Sequence, residues 1–264
     1  MIDAAMEAAR RGGEILLSWW RRLPAGAVEE KAQNDFVSRA DRESEAAIVE
    51  TLLARHPGDG VLGEEGASRK GTSGREWVID PLDGTSNFIA GFPFWCVSIA
   101  AREKGRVVAG VVWDPLRGEM YSAERGAGAF RNGARLRASA RPSARGAFLA
   151  TGFPFRAHEM IDPYLAIFRA LFLEAKAIRR AGSAALDLAN VAAGVFDGFF
   201  EFRLSAWDIA AGAILIEEAG GELRDFEGGP RYLETGDVVA GSPGVVASIL
   251  EIARDVEARG RSGC

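Results

Sequence analysis

The sequence predicts a mixed fold, layered α+β in its first half and α/β in its second. Three observations carry this. Two amphipathic segments open the chain, a run of β-rich segments follows, and strands then alternate with helices. That order suits helices covering one sheet and βα units building another. With 264 residues, 48% hydrophobic and 26% charged, the chain can bury the core such a fold needs.

Residues 1–22 are expected to be helical, because Ile2, Met6, Ala9, Leu16 and Trp20 share one face. Gly12 and Gly13 should weaken the middle of that helix, by about 1 kcal/mol each relative to alanine if exposed. The next expected helix covers residues 41–56, with Ile48 and Leu52 one turn apart and Pro57-Gly58 as its stop. Trp77-Val78-Ile79 reads as an apolar strand that runs into Asp80, with Pro81 setting a turn. Val97-Ser98-Ile99 and residues 107–113 are strands joined through Lys104-Gly105, and Asn132-Gly133 marks a hairpin. Residues 138–146, small, polar and proline-containing, are the expected boundary between halves 1–140 and 141–264. Beyond them come a strand at 147–151 and a helix at 159–175 with Tyr164, Phe168 and Leu171 on one face. Helices at 185–193 and 207–219 flank a strand at 196–202; a strand at 238–240 and a helix at 243–258 follow.

Composition narrows the function classes. Thirty-two Lys and Arg against thirty-seven Asp and Glu leave a formal charge of −5, which argues against broad nucleic-acid binding. Two cysteines, Cys96 and Cys264, and two histidines make neither a disulfide framework nor a zinc site. No apolar run is long enough to suggest a membrane span. The first residues contain Asp3 and Glu7 and no continuous apolar stretch, so no secretory signal is expected and a cytoplasmic location is the default.

The chemistry concentrates in acidic residues at the ends of regular elements: Asp35 with Asp41, Glu64-Glu65, Asp80 with Asp83, Glu201, and Asp208. Gly84 lets the backbone bend after Asp83, so Asp80 and Asp83 could face the same side of a tight loop. Two unit charges about 4 Å apart cost about 4 kcal/mol at an effective dielectric near 20, so a proton or a cation must offset them. An all-oxygen set favours a hard cation such as Mg²⁺. Thr85-Ser86-Asn87 would open a helix whose first amides can hold phosphate oxygens. Carboxylates for metals beside amides for a phosphate suit metal-assisted phosphate ester hydrolysis. Each residue also has a plain structural reading: a turn and cap for Asp80 to Thr85, a helix cap for Asp208, a surface ion pair with Arg203 for Glu201, loop and cap positions for Asp35 and Asp41.

Taken together, these segments resemble the inositol monophosphatase family of lithium-sensitive, magnesium-dependent phosphatases. The carriers are Trp77-Val78-Ile79-Asp80-Pro81-Leu82-Asp83-Gly84-Thr85-Ser86-Asn87-Phe88 and Ser205-Ala206-Trp207-Asp208-Ile209-Ala210-Ala211-Gly212, with Gly63-Glu64-Glu65 and Asp35-Phe36-Val37-Ser38-Arg39-Ala40-Asp41 in family order. The resemblance implies an αβαβα sandwich of the sugar-phosphatase type and a homodimer. It implies two to three Mg²⁺ per site, held by Glu64, Asp80, the Leu82 carbonyl, Asp83 and Asp208. Asp41 and Thr85 would activate a water beside Glu64, and the Gly84 and Thr85 amides would hold the phosphate. Asp83, Asp208, Glu201 and the backbone near Ala184 would face the substrate. Glu201, seven residues before Asp208, favours a small phosphorylated polyol, with inositol-1-phosphate ahead of histidinol phosphate and fructose-1,6-bisphosphate. Some bacterial members act instead as transcription antitermination partners, independent of hydrolysis. Ser183 stands where the family often has threonine, and the loop from Lys31 to Asp35 is a residue shorter, so neither Ser183 nor Lys31 is assigned a role.

Overall fold

The computed structural model describes residues 1–24, 26, 28–32, 35–155 and 157–262, with side chains for all of these except 30–32, 35–37 and 259–262. The side chains of Lys31 and Asp35, and Cys264 as a whole, lie outside the described residues.

Helix α1 (Ile2–Trp19) is followed by a hairpin, β1 (Val28–Ala32) with β2 (Asp35–Ser38), and by α2 (Arg39–Arg55). Then come β3 (Gly60–Gly63), β4 (Ser68–Arg69), β5 (Arg75–Asp83), the short helix α3 (Thr85–Ala90), β6 (Cys96–Glu103), β7 (Arg106–Asp114), β8 (Glu119–Glu124), β9 (Gly128–Arg131) and β10 (Ala134–Arg135). The second half contains β11 (Phe148–Thr151), α4 (Ile161–Glu174), β12 (Ala177–Arg179), α5 (Ala184–Ala192), β13 (Gly198–Glu201) and α6 (Ala206–Glu218). It closes with β14 (Glu222–Arg224), α7 (Tyr232–Thr235), β15 (Val238–Gly241) and α8 (Pro243–Ser262).

The strands form an eight-stranded sheet, ordered β10-β9-β8-β7-β6-β5-β3-β4, and a five-stranded sheet, ordered β12-β11-β13-β15-β14. Helices α1 and α2 pack together on one face of the larger sheet, while α6 packs on its other face and against α5. Helix α5 reaches β11, β13 and β15 of the smaller sheet, and α4 and α8 pack together with α8 on β14 and β15. The layering is therefore α-β-α-β-α. One buried cluster runs from Val78, Cys96 and Val112 through Leu188 and Ile214 to Phe199 and Ala240, so the two sheets share the core that α5 and α6 fill.

The expected elements are found with shifts of a few residues at their ends, and the segment at 159–175 opens with a 3₁₀ turn, His158–Met160, before α4. The Lys104-Gly105 and Asn132-Gly133 turns hold positive φ at both residues, as the tight turn between right-twisted strands requires. Gly12 and Gly13 have a different role from the one expected. A Cβ on Gly12 would lie 2.7 Å from the Ile48 side chain and one on Gly13 2.5 Å from Trp113 Nε1. Their lack of a side chain lets α1 approach α2 and β7, and that packing offsets their low helix propensity. The hairpin of β1 and β2 has no counterpart among the expected elements, because its residues lack the alternation that marks a half-buried strand.

Candidate active site

Strand β5 delivers the first carboxylates. In an unbroken strand residues 80 and 83 would face opposite sides, because side chains alternate. The pairing instead jumps from Asp80 opposite Ser98 to Asp83 opposite Cys96. Three steps along β5 thus match two along β6, which is a β-bulge, and the extra residue turns both aspartates to one face. Pro81 lies inside this irregularity, where no ladder donor is required, so the expected turn is a bulge in a continuing strand. The reversal comes at Gly84, whose φ of 98° favours glycine, and α3 starts immediately after it.

Asp208 arrives from the opposite direction, in the first turn of α6. Its Oδ2 accepts from Ser205 N at 2.7 Å, while Ser98 Oγ donates to Trp207 O at 3.0 Å and ties that turn to β6. Asp208 therefore does cap its helix, and the same side chain meets Asp80 and Asp83: one oxygen of each lies within 4.8 Å of the others. Glu64 shares a hydrogen bond with Asp80. Burial first, then the charges of Glu64, Asp83 and Asp208, push the Asp80 carboxyl well above the ordinary carboxylate range. Such crowding calls for a proton or a cation, and the oxygen-only donor set fits a hard divalent ion.

Asp41 sits behind this cluster. Ser38 is the N-cap of α2, and Asp41 Oδ2 accepts from Ser38 N at 2.9 Å and from Ser38 Oγ. Its Oδ1 faces Thr85 Oγ1 at 3.1 Å, and the same hydroxyl is 3.0 Å from Leu82 O. Burial raises the Asp41 pKa, and the hydrogen bonds from Ser38 and Thr85 oppose that rise.

Glu64, Asp80, Leu82, Asp83 and Asp208 line a single cleft of about 180 Å³, open to solvent, together with Gly84 and Thr85. Ala184 and Glu201 line the same cleft, so every sequence-predicted site residue reaches it except Asp41, which touches Thr85.

Three residues that position the site went unassigned in the sequence. Ser183 Oγ and Ala185 N both donate to Asp83 Oδ2, at 2.6 and 2.7 Å. Asn87 Nδ2 lies 2.7 Å from Phe94 O and 2.9 Å from Ala181 O, fastening α3 to the loop before α5. Glu45 accepts from Glu65 N at 2.9 Å and from Ala67 N at 3.0 Å, which sets the turn that carries Glu64. The hydroxyl at 183 was visible, but its partner lies a hundred positions away and no local pattern announces it.

Comparison with known proteins decides the kinship. The model of the inositol monophosphatase family matches residues 1–258. The chain belongs to that family. A Nus factor SuhB from Escherichia coli is 47% identical over 256 residues, covering 97% of this chain and 96% of that protein. The crystal structure of the extragenic suppressor protein suhB from Bartonella henselae superposes with a TM-score of 0.92 at 39% identity, over 95% of this chain and 97% of that one. An inositol monophosphatase from Anabaena superposes at 0.86 with 33% identity, over 96% and 95%. Inositol monophosphatase family membership and the acidic cluster together support a metal-dependent phosphatase.

Proposed function

We propose that the chain is a Mg²⁺-dependent phosphate monoester hydrolase acting on a small phosphorylated polyol, with inositol-1-phosphate as the first substrate to test. The observation that carries this reading is the convergence of Asp80, Asp83 and Asp208 within 4.8 Å, beside Glu64 and in the same cleft as Glu201. Glu64, Asp80, Asp83, Asp208 and the Leu82 carbonyl would hold the metal. Bound there, Mg²⁺ would neutralise phosphoryl charge and acidify a water.

The protein groups do the rest. Thr85 Oγ1, donating to Asp41 Oδ1, keeps a lone pair to orient the attacking water and relays its proton toward the buried carboxyl. Burial raises the Asp41 pKa, which makes it a better proton acceptor than an ordinary carboxylate. The Gly84 and Thr85 amides, at the start of α3, would hold phosphate oxygens where charge builds in the transition state. Glu201 would accept hydrogen bonds from hydroxyls of the leaving alcohol, and the backbone near Ala184 would contact them. Histidinol phosphate and fructose-1,6-bisphosphate are the alternative substrates. A panel at fixed Mg²⁺ containing these, inositol-1-phosphate, a 3′-phosphonucleotide and NADP tests the reading. Preference for inositol-1-phosphate supports it, and hydrolysis of none of them overturns it.

The relatives named Nus factor SuhB favour a second reading, in which the chain also binds transcription machinery independently of hydrolysis. Affinity capture with wild type and Asp83→Asn separates the two roles: equal capture by the inactive variant supports it, and no capture by either removes it. We further propose the homodimer expected of the family; exposed Leu165, Phe172 and Leu173 on α4 support an apolar partner surface, and sedimentation equilibrium tests it. Among the described residues no helix is long and apolar enough to cross a membrane.

A further inference from the structure

One carboxyl in the cleft has no place in the chemistry above. Asp187 lies in the first turn of α5, between the buried Leu186 and Leu188. Its backbone N donates to Ser183 O at 3.0 Å, so the helix start fixes its position. The side chain is 1% exposed, yet it lines the cleft. Among the described residues its Oδ1 is a buried oxygen with no hydrogen-bond partner. Leaving such an atom unpaired is unfavourable, and an apolar side chain would avoid that cost. Orphaned buried polar atoms inside a cleft point to a ligand that completes them.

The neighbours say what kind of ligand. Glu201 and Asp83 act electrostatically on Asp187, and Arg180 opposes them. Arg180 is itself held over the rings of Phe153 and Phe155, 5.4 and 5.2 Å from their centroids. Glu201 closes against Gly152, where a Cβ would lie 1.9 Å from its Oε1. Two carboxyl groups therefore line the same cleft and feel one another's charge, Glu201 on β13 and Asp187 on α5.

We propose that Asp187 determines specificity in this cleft: its unpaired Oδ1 hydrogen-bonds a hydroxyl of the alcohol being released, beyond those held by Glu201. This rests on the phosphatase reading and deepens it, because a second carboxyl in the same cleft gives the alcohol one hydroxyl contact beyond those at Glu201. Either protonation state makes the bond: a carboxylate oxygen accepts from the hydroxyl, and a carboxyl can also donate to it. Burial, followed by the charges of Glu201 and Asp83, pushes Asp187 well above the carboxylate range, which favours the form with both a donor and an acceptor.

The test compares wild type, Asp187→Asn and Asp187→Ala on inositol-1-phosphate, on para-nitrophenyl phosphate and on phosphoethanolamine, at fixed Mg²⁺, with melting temperatures alongside. Loss of one hydroxyl contact should raise KM for inositol-1-phosphate about tenfold more than KM for the aryl phosphate in Asp187→Ala. Asp187→Asn, which keeps the shape and an acceptor oxygen, should recover part of that difference. Equal losses on both phosphates in both variants, or a larger loss on the amine than on the polyol, overturn the assignment while wild-type hydrolysis leaves the phosphatase reading standing. A wild type that hydrolyses none of the three overturns both.

Discussion

Asp83→Asn should make the metal-free protein more stable and the metal-loaded protein less so. Asp83 Oδ2 accepts from Ser183 Oγ and Ala185 N, so an asparagine oxygen placed there keeps both donors. The amide nitrogen then occupies the other position, and one negative charge leaves a group whose oxygens lie within 4.8 Å of one another. A pair of full charges at that spacing repels by about 3 kcal/mol at an effective dielectric near 20. Burial and its neighbours raise the Asp80 pKa and so weaken the charge it carries, and about 1–2 kcal/mol is the expected gain without metal. For a chain of this size that is a rise of roughly 2–8 °C in melting temperature. With Mg²⁺ the sign reverses, because wild type gains the binding free energy and the variant loses a ligand. The assay is thermal unfolding in EDTA and across a Mg²⁺ series, paired with turnover of inositol-1-phosphate. If the variant melts below wild type in EDTA and shows the same Mg²⁺-induced rise, the carboxylates do not gather around a shared ion and the argument fails.

Thr85→Ala should lower kcat about 10²-fold with little change in KM, and Thr85→Ser should restore most of it; steady-state kinetics decides, and a mutant at wild-type rate would remove the Asp41–Thr85 relay. Glu201→Ala should reduce kcat/KM for inositol-1-phosphate at least about tenfold more than for an aryl phosphate, since only the former offers hydroxyls; equal losses take Glu201 off the substrate. Asp197 predicts a pH effect. Burial opposes its ionisation, but donors at Phe148 N, Ser139 Oγ and Arg141 outweigh this and lower its pKa. A lowered folded pKa contributes stability that is present above the ordinary carboxylate value, about 3.9, and is lost as pH falls through the folded value. Asp197→Asn should therefore melt lower than wild type at neutral pH, with the gap narrowing below about pH 4. A gap independent of pH would assign Asp197 a purely steric role.

Local chemistry made much of this protein readable before any coordinates. The hydrophobic spacing in α1 and α4 and the turn pairs Lys104-Gly105 and Asn132-Gly133 act through neighbours in the chain, so the elements they define follow from short segments. The carboxylates could be named for the same reason, as acids at element ends beside glycine and threonine. Their shared purpose could not be derived locally, because Asp208 on α6 reaches Asp80 and Asp83 on β5 only after the sheets close around α5 and α6.

The tertiary structure decided three things. The facing of Asp80 and Asp83 depends on a bulge measured against β6, and register between strands is a property of pairs. The value of Gly12 and Gly13 lies in what they let approach, Ile48 and Trp113, which the helix alone does not contain. The orphaned oxygen of Asp187 is a property of its surroundings: the sequence supplied a carboxyl between two leucines, and only the packed cleft left that oxygen buried without a partner among the described residues. Sequence settles what each short segment prefers, whereas burial and partnership arise when distant segments exclude water together.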